Sequence, residues 1–270
     1  MKQYNLKDKY VLITGSSSGI GKELARCFAG AGAHCVLHSI PGELDALVAW
    51  GRELEKRYSV RTWCMTEDFT EDQGPVNLFR KIAKEVPRID VLVNNAGMMV
   101  YGNVHEAPLK SQANLVRVNI GGYLALMHLF IPEMVKRGEG RILNISSVSA
   151  FQPSPHHAVY GASKSFIQSL SEAVNQELRG TGVRVTAFCP SYTNTPLLQG
   201  NGFPRKVWWY RISGLSDPAD IARKGMEALV KGKVVAVPGI MSKFVHLFLN
   251  RFMPRKIVDA ISFFVLRPAD

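Results

Sequence analysis

The stretch Tyr10-Val11-Leu12-Ile13-Thr14-Gly15-Ser16-Ser17-Ser18-Gly19-Ile20-Gly21 decides the fold of this 270-residue chain. Its first five residues form a short apolar run that stops at Gly15, which predicts a buried strand. Residues 19–30 follow as a predicted helix, because apolar side chains recur there on one helical face. A strand, a tight turn and a helix in this order predict the first unit of a parallel α/β sheet.

The turn between this predicted strand and helix is suited to an anion. Gly15, Gly19 and Gly21 let the backbone approach a pyrophosphate, and the N–H groups at a helix start favour negative charge. Their spacing, G-x-x-x-G-x-G, differs from the G-x-G-x-x-G form. A Gly/Ser-rich turn without a ligand is the alternative, but the strand-turn-helix context favours a nucleotide site.

The alternation of strands and helices continues without a linker, a low-complexity tract or an internal repeat. Further strands are predicted at residues 35–38, 61–65, 90–93, 141–146, 183–188 and 234–237, and longer helices at 43–58, 71–85, 111–136 and 158–179. We expect one α/β domain over residues 1–240, a three-layer doubly wound fold with a mainly parallel seven-stranded sheet. A helical C-terminal extension is expected at 241–270.

The net charge of +11, from 33 Lys and Arg against 22 Asp and Glu, permits a nucleic-acid or membrane partner. The positive residues are spread along the chain, without an arginine-rich stripe or a patch interleaved with aromatic residues. We therefore expect no nucleic-acid partner. A phosphate-bearing cofactor would also suit a positive field.

The cysteines and the N-terminus bear on redox state and location. Cys27, Cys35, Cys64 and Cys189 are scattered in apolar surroundings without metal-ligand spacing, so we expect reduced core thiols and no metal site. Residues 1–9 are polar and lack the apolar core of a signal peptide. The sequence therefore predicts a cytoplasmic location.

Tyr160 and Lys164 form the second informative feature. Four-residue spacing places a phenol and an ammonium on one face of the helix predicted at 158–179. A nearby positive charge favours the phenolate and lowers a tyrosine pKa toward the working pH of an acid or base. Taken alone, the pair is more often a solvated helix face.

Four motifs together resemble the single-domain branch of the short-chain dehydrogenase/reductase family. They are the turn at 14–21, Asn94-Asn95-Ala96-Gly97, Ser146-Ser147, and Tyr160 with Lys164, and the resemblance covers residues 7 to about 240. It implies a Rossmann fold and an NAD(P)-dependent oxidoreductase that transfers hydride between the nicotinamide and a carbonyl or secondary alcohol.

The resemblance also implies catalytic roles. Ser147, thirteen residues before Tyr160, would hydrogen-bond the reacting oxygen, and Tyr160 would give or take its proton. Lys164 would hold the nicotinamide ribose and lower the pKa of Tyr160. Asn119 resembles the asparagine that anchors a water in the proton relay. Ser146 is the competing serine, but the spacing favours Ser147.

Cofactor contacts carry over in the same way. The implied set is Gly15, Ser17, Gly19, Ile20, Ser39, Asp68, Asn95, Ala96, Gly97, Tyr160, Lys164, Pro190, Thr193 and Thr195. Asn94 has an equal claim to a structural role, tying central strands together. Ser191 stands where the family pattern has a glycine.

Cofactor choice depends on the end of the second predicted strand, His38-Ser39-Ile40. A carboxylate there would bind the adenosine ribose and reject a 2′-phosphate. This chain has none, and Ser17, Ser39 and His38 can donate hydrogen bonds. The sequence therefore favours NADP(H), with NAD(H) possible since no arginine stands there either.

An apolar pocket wall suggests an apolar substrate, such as a 3-oxoacyl, lipid-like or other ketone. The substrate-binding residues are predicted to be Ser147, Phe151, His157, Tyr160 and Tyr192, and the wall also includes Met98, Met99, His156 and the 203–212 segment with Trp208, Trp209 and Tyr210. The Trp pair has a packing role as its alternative, and exposed loop histidines are common. The segment is long enough for a lid.

The extension at 241–270 is apolar but interrupted by charges, so it is not a transmembrane helix. Two amphipathic helices there can touch a membrane surface weakly, or pack over the pocket or against another subunit. The family resemblance implies a homodimer or homotetramer through the helices at 111–136 and 158–179.

Two other classes of function compete with an enzyme that oxidises alcohols or reduces ketones. A non-catalytic nucleotide-binding regulatory or scaffold protein need not keep Ser147, Tyr160 and Lys164 together. An epimerase or dehydratase acting on nucleotide sugars uses the same pair, but such relatives are usually longer and have a different glycine spacing. The intact set favours the oxidoreductase.

Overall fold

The computed structural model describes residues 4–199, 204, 214–245 and 252–267. Its centre is a seven-stranded parallel sheet of order β3-β2-β1-β4-β5-β6-β7. The strands are β1 Tyr10–Thr14, β2 His34–Ser39, β3 Thr62–Thr66, β4 Val91–Asn94, β5 Gly140–Ile145, β6 Val183–Phe188 and β7 Val235–Ala236. The predicted doubly wound α/β fold is confirmed, and every strand pair is parallel.

Helices cover both faces of the sheet. They are α1 Gly19–Gly30, α2 Leu44–Tyr58, α3 Gly74–Glu85, α4 Leu109–Val116, α5 Tyr123–Arg137, α6 Ala158–Glu177, α7 Pro196–Gln199, α8 Pro218–Val230, α9 Ile240–Lys243 and α10 Arg255–Leu266. Helices α1, α2 and α8 enclose one core with Leu24, Leu47 and Leu229 fully buried. Helices α3, α5 and α6 enclose the other, so the molecule has three layers.

The helix predicted at 111–136 is interrupted by a wider turn. Helix α4 passes into a π-helical segment at residues 117–122 before α5 begins. The run Leu109–Arg137 is long and apolar enough to cross a membrane by composition. However, Leu115, Leu126 and Met134 are fully buried, so the run packs its apolar side into the core of the protein.

The segment after β6 is only partly described. Residues 190–199 and 214–217 lead from β6 to α8, and the predicted lid residues Trp208, Trp209 and Tyr210 lie outside the described residues. In the extension, α10 buries Val258, Ser262 and Leu266.

Asn94 and Asn144 tie the sheet to a helix inside the core. Asn94 Nδ2 donates to Asn144 Oδ1 at 2.9 Å, and Asn144 Nδ2 donates to Ser171 Oγ at 2.8 Å. Both asparagines are fully buried. The structural role that the sequence left open for Asn94 is therefore the one observed.

We expect Asn144→Ala to lower the free energy of unfolding by about 2–3 kcal/mol, because Asn94 and Ser171 both lose a buried partner. Urea unfolding measures the loss. The matched control is Asn103→Ala, whose amide bonds Glu106 at the surface; it should change stability by less than about 0.5 kcal/mol. Equal losses in the two variants would contradict the role given to the buried network.

Candidate active site

A cleft of about 480 Å³ opens at the carboxyl ends of the strands. Strand β1 lies between β2 and β4, so the strand order reverses there. Ligands of open α/β sheets bind at such a reversal. The glycine turn lines one end of the cleft, and Ser147, Tyr160 and Lys164 line the other.

The glycine turn is fastened to the loop after β4. Thr14 Oγ1 accepts hydrogen bonds from the N–H groups of Asn95 and Ala96 at 2.9 and 3.0 Å. In return, Asn95 Nδ2 donates to the carbonyls of Thr14 and Gly15 at 2.9 and 3.0 Å. These bonds join the ends of β1 and β4 at the strand-order reversal.

Only glycine fits at two positions of this turn. Gly15 has a φ of +65°, which disfavours any side chain. A Cβ at Gly21 would lie 2.1 Å from the Gly15 carbonyl oxygen. The side chain of Ser18, the N-cap of α1, makes no capping bond. The glycines therefore let the turn pass close to its own backbone and to Asn95. The uncapped N–H groups at this helix start line the cleft with the turn, and the arrangement fits a phosphate.

Tyr160 and Lys164 lie on the first turns of α6 and are both buried. Lys164 Nζ donates to the Ile145 carbonyl at 2.9 Å and lies 5.6 Å from the centre of the Tyr160 ring. The Ser147 hydroxyl lies beside the Tyr160 hydroxyl, and both residues line the cleft. The structure thus brings together three of the four residues that the sequence proposed as the catalytic set, the fourth being Asn119.

Burial dominates the proton equilibria of this pair. It raises the pKa of Tyr160 to about 12, and the neighbouring Ser147 hydroxyl acts in the opposite direction. It lowers the pKa of Lys164 to about 8. The sequence predicted that Lys164 lowers the tyrosine pKa, but in this structure removal of water from the phenolate is the larger effect. Near neutral pH the phenol keeps its proton and the lysine its charge.

The two neighbouring serines have different roles. Ser146 is buried and its hydroxyl donates to the Lys164 carbonyl at 2.8 Å, which fixes β5 against α6. Ser147 accepts from the N–H of Ser149 at 3.1 Å and lines the cleft beside Tyr160. Ser147 is therefore the serine placed to touch a reacting oxygen.

Asn119 lies in the π-helical segment and is fully buried. Its Oδ1 accepts from the Met98 N–H at 2.8 Å, and its Nδ2 donates to the Met98 carbonyl at 2.9 Å and to Ser163 Oγ at 3.1 Å. Ser163 Oγ in turn donates to the Tyr160 carbonyl at 2.7 Å. Both amide hydrogens are spent on the protein, so the side chain positions the loop after β4 against the turn carrying Tyr160. The predicted water contact stays a prediction.

The structure gathers most of the other predicted residues in the cleft. The lining contains Gly15, Ser17, Gly19, Ile20, Ser39, Asp68, Asn95, Ala96, Gly97, Pro190, Tyr192, Thr193 and Thr195. Two predicted substrate contacts lie elsewhere. Phe151 packs on the cluster of Val148 and Cys189. The His157 ring lies behind Tyr160, 5.9 Å from it, with only 2% of its surface exposed.

The predicted hydrogen bond from His38 to a phosphate is not supported by its geometry. Its ring stacks on Phe69 at 4.5 Å and its Nε2 bonds the Glu67 carbonyl at 3.1 Å. Burial lowers its pKa to about 4, so the ring is neutral. Because a carbonyl only accepts, Nε2 carries the single proton and Nδ1 has none to donate.

Glu43 is the residue near the adenosine end that the sequence reasoning missed. It closes the short turn Pro41–Glu43 after β2, which returns its carboxylate to the Ser39 hydroxyl. Ser39 Oγ also lies 3.1 Å from Ser17 Oγ. All three line the cleft. The signal in the sequence was Pro41-Gly42, a turn that brings the residue after it back to the strand end.

The fold and this site together define a doubly wound nucleotide-binding protein with a buried Tyr/Lys pair. The family model for short chain dehydrogenases matches residues 9–203, and the chain belongs to that family, whose members are oxidoreductases that bind a nicotinamide cofactor.

Relatives of known sequence or structure agree with this assignment. An uncharacterised oxidoreductase of Staphylococcus saprophyticus is 33% identical over 226 residues, covering 83% of this chain and 92% of that protein. Dehydrogenase/reductase SDR family member 7B of Danio rerio is 29% identical over 257 residues, covering 93% and 83%. A solved short-chain dehydrogenase from Sphingobium yanoikuyae in complex with NADPH has a TM-score of 0.80 at 27% identity, covering 90% and 93%.

Burial of Lys164 makes the stability of the ligand-free protein depend on pH. The folded lysine releases its proton near pH 8, whereas its ordinary pKa is 10.5. In the pH range between these two values the unfolded chain binds more protons than the folded chain, so the free energy of unfolding rises with pH. Below this range the folded protein bears the full cost of burying the charged ammonium. Across this pH range we expect the free energy of unfolding of wild type to rise by about 3 kcal/mol relative to that of Lys164→Met, as measured by urea unfolding.

The control for this measurement is Lys84→Met at an exposed lysine of α3. Its unfolding free energy should follow that of wild type at every pH. Parallel curves for wild type and Lys164→Met would show that the buried ammonium does not titrate in this window.

Proposed function

We propose that this protein interconverts a ketone and a secondary alcohol on an apolar substrate, with a nicotinamide nucleotide as hydride carrier. The observation that carries the proposal is the meeting of Ser147, Tyr160 and Lys164 at one end of a cleft. The other end of that cleft is a glycine cradle suited to a pyrophosphate.

A nicotinamide cofactor held in the cleft would supply the hydride for reduction of the carbonyl carbon, or take it up in oxidation of the alcohol. Tyr160 donates its proton to the carbonyl oxygen, since burial keeps the phenol protonated at neutral pH. Ser147 hydrogen-bonds the same oxygen and holds it beside the phenol. Lys164 keeps its charge below a pKa of about 8 and stabilises the phenolate that remains.

The walls around Tyr160 support an apolar substrate. Met99 and Leu115 are buried against the Tyr160 ring, and Met98, Tyr192, Leu197 and Leu198 pack beside them. Met98, Met99, Leu197 and Leu198 also line the cleft. A 3-oxoacyl chain, a lipid-like ketone or another hydrophobic ketone would lose little hydration on entering such walls, whereas a polar substrate would lose more.

Tyr160→Phe should lower kcat at least about 100-fold, because the proton donor is removed while the ring that packs in the site is kept. The reaction is followed by absorbance of the reduced nicotinamide, with a panel of ketones, 3-oxoacyl thioesters and steroids and with each cofactor. Tyr58→Phe, on α2, is the matched control and should keep wild-type rates.

Full activity of Tyr160→Phe would show that the mechanism is wrong. If wild type binds both cofactors and turns over none of the panel, the alternative of a non-catalytic nucleotide-binding regulatory or scaffold protein gains. Cofactor affinity, measured by fluorescence titration, should stay within about 3-fold in Tyr160→Phe because the phenol hydroxyl serves the transition state.

We propose NADP(H) as the preferred cofactor, with NAD(H) also accepted. The relative from Sphingobium yanoikuyae, solved with NADPH, supports this preference, as do the Ser17 hydroxyl in the cleft and the net charge of +11. Glu43 works against it, because a carboxylate beside Ser39 accepts bonds from ribose hydroxyls and repels a 2′-phosphate. Because these effects oppose each other, the preference for NADP(H) over NAD(H) is small.

Glu43→Gln should raise the ratio of kcat/KM for NADPH to that for NADH by about 10-fold, because a negative charge near the 2′ position is removed. Steady-state kinetics at low ionic strength measures the ratio. Asp45→Asn removes a charge from the exposed start of α2 and should leave the ratio unchanged. An unchanged ratio in Glu43→Gln would mean that its carboxylate does not face the ribose.

We also propose a homodimer or homotetramer formed through the α4–α5 run and α6. Exposed apolar side chains on these helices support it, among them Val116, Leu124 and Phe166. The proposed location is the cytoplasm, for which the four free cysteines are suited because thiols stay reduced there.

A further inference from the structure

Helix α10 (Arg255–Leu266) is held on the protein by one face. Val258, Ser262 and Leu266 recur every four residues, and each has 7% or less of its surface exposed. The Tyr101 hydroxyl donates to the Leu266 carbonyl at 3.2 Å, and the Phe263 ring lies 5.5 Å from the His156 ring. Through the Leu266 carbonyl and the Phe263 ring, α10 therefore contacts the loops that carry Tyr101 and His156.

The opposite face of α10 is also apolar. Ile257, Ile261 and Phe264 follow one another at spacings of four and three residues, so they share one helical face. Their exposed fractions are 49%, 47% and 46%. A helix that already buries one face in its own protein does not need a second apolar face for folding, and such exposed stripes mark interaction sites.

Positive charges accompany this outer stripe. Arg255 and Lys256 stand at the start of α10 and are exposed, and the Arg267 guanidinium lies 4.2 Å over the Phe264 ring just past its end. Asp259 is the acidic residue within α10. Aliphatic and aromatic side chains with basic residues at both ends are the composition of helices that lie in the interface of an anionic bilayer.

A second copy of this chain is the other candidate occupant of the stripe. It would bring Arg255, Lys256 and Arg267 of two protomers together across the interface. Like charges placed across an interface oppose association. An anionic lipid surface instead supplies the opposite charge and an apolar layer in one partner.

We propose that α10 docks the protein on anionic membranes. The helix lies in the plane of the bilayer, with Ile257, Ile261 and Phe264 in the acyl boundary and the basic residues on the headgroups. The helix contacts Tyr101 through the Leu266 carbonyl and His156 through Phe263, and the stacked rings of Tyr101 and His157 lead from there to Tyr160. Docking therefore turns the side of the molecule that carries Tyr160 toward the lipid. The proposal does not depend on the proposed reaction.

Flotation of the purified full chain with vesicles tests the docking. Wild type should rise with vesicles of phosphatidylcholine containing about 30% phosphatidylglycerol, and at least 10-fold less with phosphatidylcholine alone. Binding to the anionic vesicles should weaken as salt is raised to about 0.5 M, because the charges are then screened.

Ile257→Ser with Ile261→Ser should lower the partition coefficient about 100-fold or more, because two apolar side chains no longer enter the bilayer. The matched control is Leu44→Ser with Val135→Ser, which removes two exposed apolar side chains from other surfaces. It should float like wild type. Circular dichroism and analytical ultracentrifugation establish that each variant keeps its fold and its oligomeric state.

A second pair of variants keeps the test decisive if the serine variant unfolds. Arg255→Gln with Lys256→Gln should lower partitioning to anionic vesicles about 30-fold. Lys56→Gln with Lys136→Gln, at exposed lysines of α2 and α5, removes the same charge and should lower it far less. Equal losses in the two pairs would show attraction by net charge alone and overturn the proposal. So would wild type that does not float, or an oligomer that dissociates in the serine variant with flotation unchanged.

Discussion

The hydrogen-bonded junction between the ends of β1 and β4 is the constraint on which the rest of the structure depends. The Thr14 hydroxyl accepts two backbone N–H groups from one side of the junction, and the Asn95 amide returns two bonds to the other. The junction fixes where the two strands stop, and the cleft opens beyond that point. Gly21 must then pass so close to Gly15 that a side chain is excluded. The same contact that closes the turn leaves its backbone bare for a phosphate.

At the opposite end of the cleft, burial sets the protonation states of two ionisable groups. Burial disfavours the charged form of both Tyr160 and Lys164, and so moves their pKa values apart, raising that of Tyr160 from 10.0 to about 12 and lowering that of Lys164 from 10.5 to about 8. Both values stay above neutral pH, so the neutral phenol and the charged ammonium coexist there. A phenol beside a fixed cation can release its proton only when a reacting oxygen takes it. This matches an acid that acts at one step of a reaction.

The fold and the central motifs could be predicted from the sequence because they depend on local periodicity and spacing. The strands began and ended within a few residues of their predicted positions, and Tyr160 and Lys164 share a helix face as their spacing requires. His38, Glu43 and Phe151 show where this reasoning ends. The directions of their side chains depend on which partner is nearest after folding, namely Phe69 for the first, Ser39 for the second and Val148 for the third. Sequence spacing does not indicate these partners for His38 and Phe151, whereas the Pro41-Gly42 turn does indicate that Glu43 returns to the strand end.

The π-helical turn at residues 117–122 has a consequence for the whole α4–α5 run. A π turn holds one residue more than an α turn, and each residue advances a helix by about 100°. The apolar pattern of α5 is therefore out of phase with that of α4 by roughly one position. Asn119 faces Met98 and Ser163 while Leu126 and Met134 still face the sheet. A regular helix of the same sequence could direct either Asn119 to its polar partners or the apolar side chains to the sheet, but not both. The extra residue rotates α5 relative to α4. One continuous helix can therefore present Asn119 to its polar partners and apolar side chains to the core.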